Sequence, residues 1–281
     1  MRSDLIRADI RLVELELAKS REKARALIMA GVVYKNGQKL NKSGTFVTKD
    51  DKIEVREDPI PYVSRGGLKL EKAIKNHGVD VNGKISADIG ASTGGFTDCM
   101  LQNGAKKVYA IDVGYGQLDW KLRNDKRVVV MERTNARNME PSWFSERIEL
   151  ASIDVSFISL KLILPALFDC LTETGEVLAL VKPQFEAGRE KIGKNGVVRN
   201  RNTHAEVLKD IALFSMDMGF KIRAIDYSPI TGPKGNIEFL LLLKKGEGDA
   251  FMEIETMHER IEEITILAHT NLKRENEEDE V

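Results

Sequence analysis

Four ionisable residues, far apart in the chain, share an unusual setting. Asp154 closes one apolar run in Ile153-Asp154-Val155-Ser156-Phe157, and Lys182 closes another in Val181-Lys182-Pro183-Gln184-Phe185. Glu238 interrupts the apolar stretch Ile237–Leu243, and Lys69 lies on a helical stretch that precedes the first of these runs. A lysine that ends a buried strand carries a burial cost unless it is paired, and Asp154 on a neighbouring strand is its natural partner. Two acids and two bases brought to one sheet edge could serve a reaction that must remove or share a proton. A ribose 2′-hydroxyl is such a case, because it ionises only at strongly alkaline pH. A lysine tuned by adjacent carboxylates can act as base or support the developing alkoxide. A purely structural ion-pair network is the competing reading for each of the four.

The segment Asp88-Ile89-Gly90-Ala91-Ser92-Thr93-Gly94-Gly95-Phe96-Thr97 follows a predicted strand and opens a predicted helix. Glycines there permit close backbone approach by a ligand. The spacing is neither GxGxxG nor a P-loop, since no Gly-Lys-Ser/Thr follows. Asp112, followed by Val113, ends the next strand about twenty residues on, where a carboxylate can accept hydrogen bonds from the ribose hydroxyls of an adenosine. Loop and acid together admit a nicotinamide cofactor or S-adenosylmethionine, and the wording of the loop favours the methyl donor. A turn serving only chain reversal and a helix-capping aspartate are the plainer alternatives.

These residues need a scaffold, and the chain alternates to supply one. Beyond Pro59 and Pro61 the pattern predicts helix 68–76, strand 85–89, helix 95–103, strand 107–112, helix 117–123 and strand 128–131. It continues with strand 150–154, helix 160–171, strand 176–181, helix 203–218, and strands 222–227 and 237–243. Such βα alternation predicts a Rossmann-like α/β domain with a mainly parallel sheet, ending in an antiparallel hairpin. Phe251, Ile254, Met257, Ile261, Ile264 and Leu267 recur at helical spacing and predict a final amphipathic helix. The first residues read as a small α+β module. It has a helix over 5–17, a second helix capped by Ser20, a strand at 32–34 running into the tight turn Asn36-Gly37, and a strand at 53–55. The expected organisation is a module over 1–58, a linker over 59–63, a catalytic domain over 64–270 and an acidic, solvated tail over 271–281.

A chain of 281 residues can bury two cores without staples. Cys99 and Cys170 have no metal-ligand spacing, so no metal is expected, and a reduced, cytoplasmic location fits. Apolar runs stop far short of a membrane span, and charges break any secretory leader at the N-terminus. Residues 246–281 hold twelve acids against three bases, so a total charge of −1 conceals a body of +8. Arg7, Arg21, Lys23, Arg25, Lys35 and Lys42 gather in the first module and can neutralise backbone phosphates. Arg189, Lys191, Lys194, Arg199 and Arg201 form a second basic stretch after Lys182. A solvated charged face is the bland reading of the first group, and Glu14, Glu16 and Glu22 support it.

In their order, these blocks resemble the bacterial haemolysin-A (TlyA) family, which joins an S-four-type RNA-binding domain to an FtsJ-like 2′-O-methyltransferase domain. The resemblance rests on Arg7-Ala8-Asp9, Ser20 to Ala24 and Gly31 to Gly37 in the first module. In the second it rests on Ser64-Arg65-Gly66-Gly67-Leu68-Lys69-Leu70, Asp88 to Thr97, Asp112 to Gly116, Arg133 to Arg137, Asp154 to Phe157, Lys182 to Phe185 and Gly235 to Glu238. It implies a catalytic set of Lys69, Asp154, Lys182 and Glu238. It also implies a donor site with Asp88, Gly90, Ser92, Thr93, Gly94, Gly95 and Phe96 around the methionine part, Asp112 and Val113 at the ribose, and Asn135 or Ala136 near adenine. The implied cofactor is S-adenosyl-L-methionine, and the implied activity is methylation of a cytidine ribose in ribosomal RNA. The implied partners are ribosomal RNA or ribosomal subunits, gripped by Arg7, Arg21, Lys23, Lys35, Lys42 and Arg65, with no membrane and a monomeric chain. Ala8 stands where many members carry leucine. A non-catalytic RNA-binding ribosome-assembly factor is the alternative, and a membrane-lytic protein, which the family name invites, is disfavoured by the want of a leader or spanning segment.

Overall fold

The computed structural model describes residues 5–29, 31–40, 42–55, 60–246 and 251–278. The chain divides into two compact units, Met1–Pro61 and Tyr62–Val281. Pro59, part of the expected linker, lies outside the described residues.

In the first unit, β1 (Ile6–Arg7) leads into α1 (Ala8–Glu14), then α2 (Arg21–Met29), β2 (Val33–Lys35), β3 (Gln38–Lys39), β4 (Phe46–Val47) and β5 (Ile53–Val55). The single helix expected over 5–17 is shorter at both ends. Ile6 and Arg7 are extended because they pair antiparallel with Val47 and Phe46, and the helix gives way at Leu15, with Glu16 in a left-handed conformation. Tertiary pairing overrides the local pattern here. Ser20 Oγ accepts from Lys23 N at 3.2 Å at the start of α2. Asn36 and Gly37, both at positive φ, form the turn between β2 and β3. The core of the unit is Ala8, Leu12, Ala24, Ile28, Val33 and Val47.

The second unit is built on seven strands. Its elements are α3 (Gly67–His77), β6 (Ile85–Ile89), α4 (Gly95–Gln102), β7 (Lys107–Ile111), α5 (Trp120–Arg123), β8 (Val128–Met131), β9 (Ile148–Ile153), α6 (Leu164–Cys170), β10 (Leu171–Val181), α7 (Pro183–Glu186), α8 (Arg201–Asp217), β11 (Phe220–Tyr227), β12 (Phe239–Lys245) and α9 (Ile254–Glu278). The strand order is β11-β12-β10-β9-β6-β7-β8. β6 pairs parallel with β7 and β9, and β12 pairs antiparallel with both β10 and β11. The last strand therefore slots between β10 and β11, so the C-terminal hairpin places β11 at the edge. All five residues of β6 are buried, as a strand covered on both faces requires.

Local chemistry explains where elements depart from the periodic pattern. The helix expected over 160–171 splits into a 3₁₀ turn, Leu160–Leu162, and α6, because Pro165 has no N–H to give a helix interior. α5 starts at Trp120, where Asp119 Oδ1 accepts from Lys121 N at 2.8 Å. The segment expected to be a solvated tail is helical through Glu278, and Leu272 is buried in the main core. Residues 279–281 lie outside the described residues.

Candidate active site

The register of the sheet decides which side chains meet. Ile89 is level with Ile111 on one side and Ile153 on the other, so the segments after β6, β7 and β9 leave the sheet together. Ala179 pairs with Ile153, which puts Lys182, just beyond Val181, at the same edge. Because β12 runs the opposite way, it begins at that edge: Phe239 pairs with Val181, and Glu238 immediately precedes it. Lys69 comes in from the first turn of α3.

The four residues form one contiguous chain of contacts. Lys69 Nζ donates to Glu238 Oε2 at 2.7 Å and to Asp154 Oδ2 at 3.3 Å. Lys182 Nζ lies 2.5 Å from Asp154 Oδ1 and donates to Ser156 Oγ at 3.2 Å. Lys69, Lys182 and Glu238 are only 7%, 8% and 2% exposed. Burial acts against the Lys69 charge, but the Asp154 and Glu238 carboxylates outweigh it and hold the ammonium above its ordinary range. Burial likewise favours a neutral Asp154, and Lys69 and Lys182 outweigh it, keeping that carboxyl below the usual range. Lys69 is thus fixed as a cation between two anions, whereas Lys182 ends the chain of charges, in contact with Asp154 and Ser156.

The glycine loop lies against the same residues. Gly90, at φ +85°, sits so close that an added Cβ would fall 2.5 Å from the Asp154 carbonyl oxygen. Gly90 N donates to Ile111 O at 2.8 Å, and Asp154 N to Ile89 O at 2.9 Å, tying the three strand ends together. Gly94 and Gly95 open α4, and a Cβ on Gly95 would meet Ser64 Oγ and the nitrogen of Gly67, so the starts of α3 and α4 are in close contact. Ser92 N donates to Asp112 Oδ2 at 2.8 Å and Gly114 N to Asp112 Oδ1 at 2.7 Å. Each carboxylate oxygen retains acceptor capacity for a hydroxyl. A narrow cleft here is lined by Ser92, Asp112, Gln117, Leu118 and Glu132.

Other expected donor-site residues are placed differently. Asp88 is 1% exposed, and its oxygens accept from Thr97 N, Thr97 Oγ1 and Ser152 Oγ at 2.9, 2.6 and 3.1 Å. It acts on the loop from beneath, and burial pushes its carboxyl up to about 6 against those hydrogen bonds. Phe96 is buried, near Gly66. Thr93 is exposed, its carbonyl accepting from Asp119 N, and Val113 is exposed. Asn135 Oδ1 accepts from Arg137 N at the head of a 3₁₀ turn, and Ala136 belongs to the core. Arg65 Nη2 donates to Thr231 O at 2.7 Å.

In the first unit, three arginines surround one buried acid. Arg7 Nε and Arg25 Nε lie 3.0 and 2.9 Å from Asp9, and Arg21 Nη2 lies 3.4 Å away. The Arg7 hydrogen bond leads in holding the Asp9 carboxyl well below the usual range. One acid against three bases leaves the cluster positive, with the arginine side chains half exposed. Lys23 and Lys42 are exposed, and Lys35 pairs with Asp51 at 2.9 Å. Ser156, Phe157 and Glu186 were not singled out from the sequence. Phe157, 89% exposed at φ +65°, packs its ring 4.9 Å from that of Phe185. Its place in the run after Asp154 was the one available signal.

Residues 62–245 match the family model described as FtsJ-like methyltransferase, and residues 6–53 match the S4 domain. The chain belongs to the FtsJ-like methyltransferase family. Among its relatives is the Bacillus subtilis protein YqxC, 54% identical over 97% of each chain. Another is a Mycobacterium tuberculosis protein named 16S/23S rRNA (cytidine-2'-O)-methyltransferase TlyA, 43% identical over 85% of this chain and 89% of that one. A solved structure from Streptococcus thermophilus is 48% identical, with a TM-score of 0.77, and covers 98% of this chain and 99% of its own. The FtsJ-like fold, with its mainly parallel sheet and antiparallel C-terminal strands, and the S4 domain thus agree with the expectation from sequence. Among the described residues no helix is long and apolar enough to cross a membrane, and no group of histidine, cysteine and carboxylate side chains could hold a metal ion.

Proposed function

We propose that the chain transfers a methyl group from S-adenosyl-L-methionine to the 2′-hydroxyl of a cytidine in ribosomal RNA. The observation that carries this reading is the unbroken series Glu238, Lys69, Asp154, Lys182 at the carboxyl edge of the sheet, in direct contact with a glycine loop. The residues fit the donor: Asp112, bonded to Ser92 N and Gly114 N, has lone pairs to spare for ribose hydroxyls at the mouth of the glycine loop. Ser92, Gly94 and Gly95 would hold the methionine part and Asp112 the ribose. When bound, the sulfonium supplies an electrophilic methyl group. Lys182 orients the ribose hydroxyl and, in its unprotonated form, takes the hydroxyl proton as the oxygen attacks the methyl, and Asp154 stabilises the ammonium so formed. Lys69, held charged, keeps Asp154 ionised and fixed in orientation. Neutral imidazole or carboxylate bases are not required.

The S4 domain of the first unit fits a ribosomal RNA partner, with the Arg7, Arg21 and Arg25 cluster, Lys23, Lys35 and Lys42 neutralising phosphates and Arg65 contributing from the second unit. A monomeric, cytoplasmic enzyme acting on rRNA or on a ribosomal subunit follows from the same reading. The test is transfer of labelled methyl to ribosomal RNA by the full chain, with ribose methylation mapped by nucleotide. Lys182→Ala should abolish transfer while leaving donor binding by calorimetry intact. Retained transfer in that variant would remove Lys182 from its role, and donor binding with no turnover on any ribosomal substrate would favour a non-catalytic assembly factor.

A further inference from the structure

The segments that follow β9 and β10 carry the acid and the base of the site, and one further side chain bridges them. Glu186, the last residue of α7, accepts from Ser159 Oγ at 2.6 Å on Oε2 and from Leu160 N at 2.8 Å on Oε1. Ser159 is the cap of the 3₁₀ turn Leu160–Leu162, its Oγ also accepting from Lys161 N at 3.2 Å. The carboxylate therefore completes the start of an element that belongs to the other segment. Phe157 and Phe185 meet across the same gap, with ring centroids 4.9 Å apart. At the opposite end, Lys182 reaches Asp154 and Ser156. The two segments are thus fastened at both ends, by the reacting groups and by Glu186. Burial pushes the Glu186 carboxyl upward, and the hydrogen bonds from Ser159 and Leu160 oppose it.

We propose that Glu186 is a positioning residue for the methyl transfer: by joining the Asp154–Leu160 segment to the Lys182–Glu186 segment, it fixes Lys182 against Asp154 and Ser156. The proposal rests on Lys182 being the group that meets the ribose hydroxyl. Both oxygens of Glu186 accept, whereas an amide keeps the bond from Leu160 N on its oxygen but loses the charge and must reverse the bond to Ser159, its NH₂ donating to the hydroxyl. Loss of the bridge frees the Lys182 segment to shift, and displacement of a reacting group by about 1 Å can cost roughly 10²-fold in rate. The glycine loop and Asp112 are held by separate bonds, so donor binding is independent of the bridge.

The experiment compares the full chain with Glu186→Gln, Ser159→Ala, the double variant and Glu186→Asp. It measures kcat and KM on ribosomal RNA, the pH profile of kcat, donor affinity by calorimetry and Tm. Glu186→Gln is expected to lower kcat at least tenfold, with donor Kd within about twofold, and to displace the limb of the pH profile that rises with pH, which a general base sets. Ser159→Ala should lower kcat in the same direction, the double variant should be no worse than Glu186→Gln, and Glu186→Asp should recover part of the loss. An unchanged kcat in Glu186→Gln, or a kcat that falls only in step with donor affinity, overturns the proposal. Should Glu186→Gln fail to fold, Ser159→Ala carries the same comparison, since it leaves the bond from Leu160. Transfer that survives Lys182→Ala would instead show that the reading of Lys182 is wrong, an outcome separate from any effect of Glu186.

Discussion

Lys69 Nζ lies 2.7 Å from Glu238 Oε2 across 169 residues of chain, and the same nitrogen reaches Asp154. One ammonium thus serves two carboxylates, and Glu238 is almost fully buried. Removing a single partner from a buried ion pair leaves the other charge uncompensated, at a cost of roughly 3–5 kcal/mol. Lys69→Met should therefore destabilise the fold by that order. Lys182→Met should cost distinctly less, because Asp154 keeps Lys69 as a partner. Urea denaturation of both variants at neutral pH compares the two, and equal losses would show that Lys69 is not the charge on which Glu238 depends.

Two buried groups far from each other in sequence give opposite dependences on pH. The Asp88 carboxyl, raised by burial to about 6 from an ordinary 3.8, binds its proton in the folded state before the unfolded chain does. Its contribution therefore falls as pH rises from about 4 to about 6. His204 is pushed down to about 4 from 6.5, first by burial and then by His269, while its bond to Val198 O opposes the shift. The unfolded chain binds that proton first, so the contribution of His204 grows with pH over nearly the same window. Asp88→Asn should leave stability falling more steeply on acidification than in the natural chain. His204→Gln, which keeps a donor for Val198, should flatten that fall or reverse it. Chemical denaturation from pH 4 to 7 reads the difference between each variant and the parent, and parallel curves would refute both assignments.

The Rossmann-like order of elements was legible because most strands from Ile85 onward are apolar, bounded and followed by a helix or turn. The edge at which Asp154 and Lys182 meet was legible for the same reason, since parallel strands deliver their last residues to one side. What periodicity did not reveal was the place of β12. Only its pairing between β10 and β11 turns Glu238 from the middle of an apolar run into the first residue at the site edge. Nor did the pattern reveal that Ile6 and Arg7 would leave the helical register to pair with Phe46 and Val47, because the partner strand is two residues long. Glu186 carried no signal at all: its role depends on Ser159 and Leu160, which lie 27 and 26 residues earlier and come near it only when β9 and β10 pair.

Gly90 and Gly94 have similar backbone conformations, φ +85° and +95°, yet they should respond differently to a methyl group. At either position a side chain would adopt a left-handed conformation at a cost of about 1–2 kcal/mol. At Gly94 the added Cβ would lie 2.2 Å from Leu122 Cδ1 and 2.8 Å from Leu118 Cδ1, the ends of side chains that can rotate. At Gly90 it would meet the Asp154 carbonyl oxygen at 2.5 Å and the carbonyl carbon at 2.9 Å. That backbone cannot yield without moving the Asp154 carboxylate away from Lys69 and Lys182. Gly90→Ala should therefore lose both donor affinity and methyl transfer, the latter by about 10²-fold or more, whereas Gly94→Ala should lose stability together with donor affinity, without displacing the Asp154 carboxylate. Leu122→Ala in the second background makes room and should restore part of the Gly94→Ala deficit while doing nothing for Gly90→Ala. Donor calorimetry, turnover and Tm across the two single and two double variants separate these outcomes, and equal rescue of both would mean that the contact with Asp154 does not limit the loop.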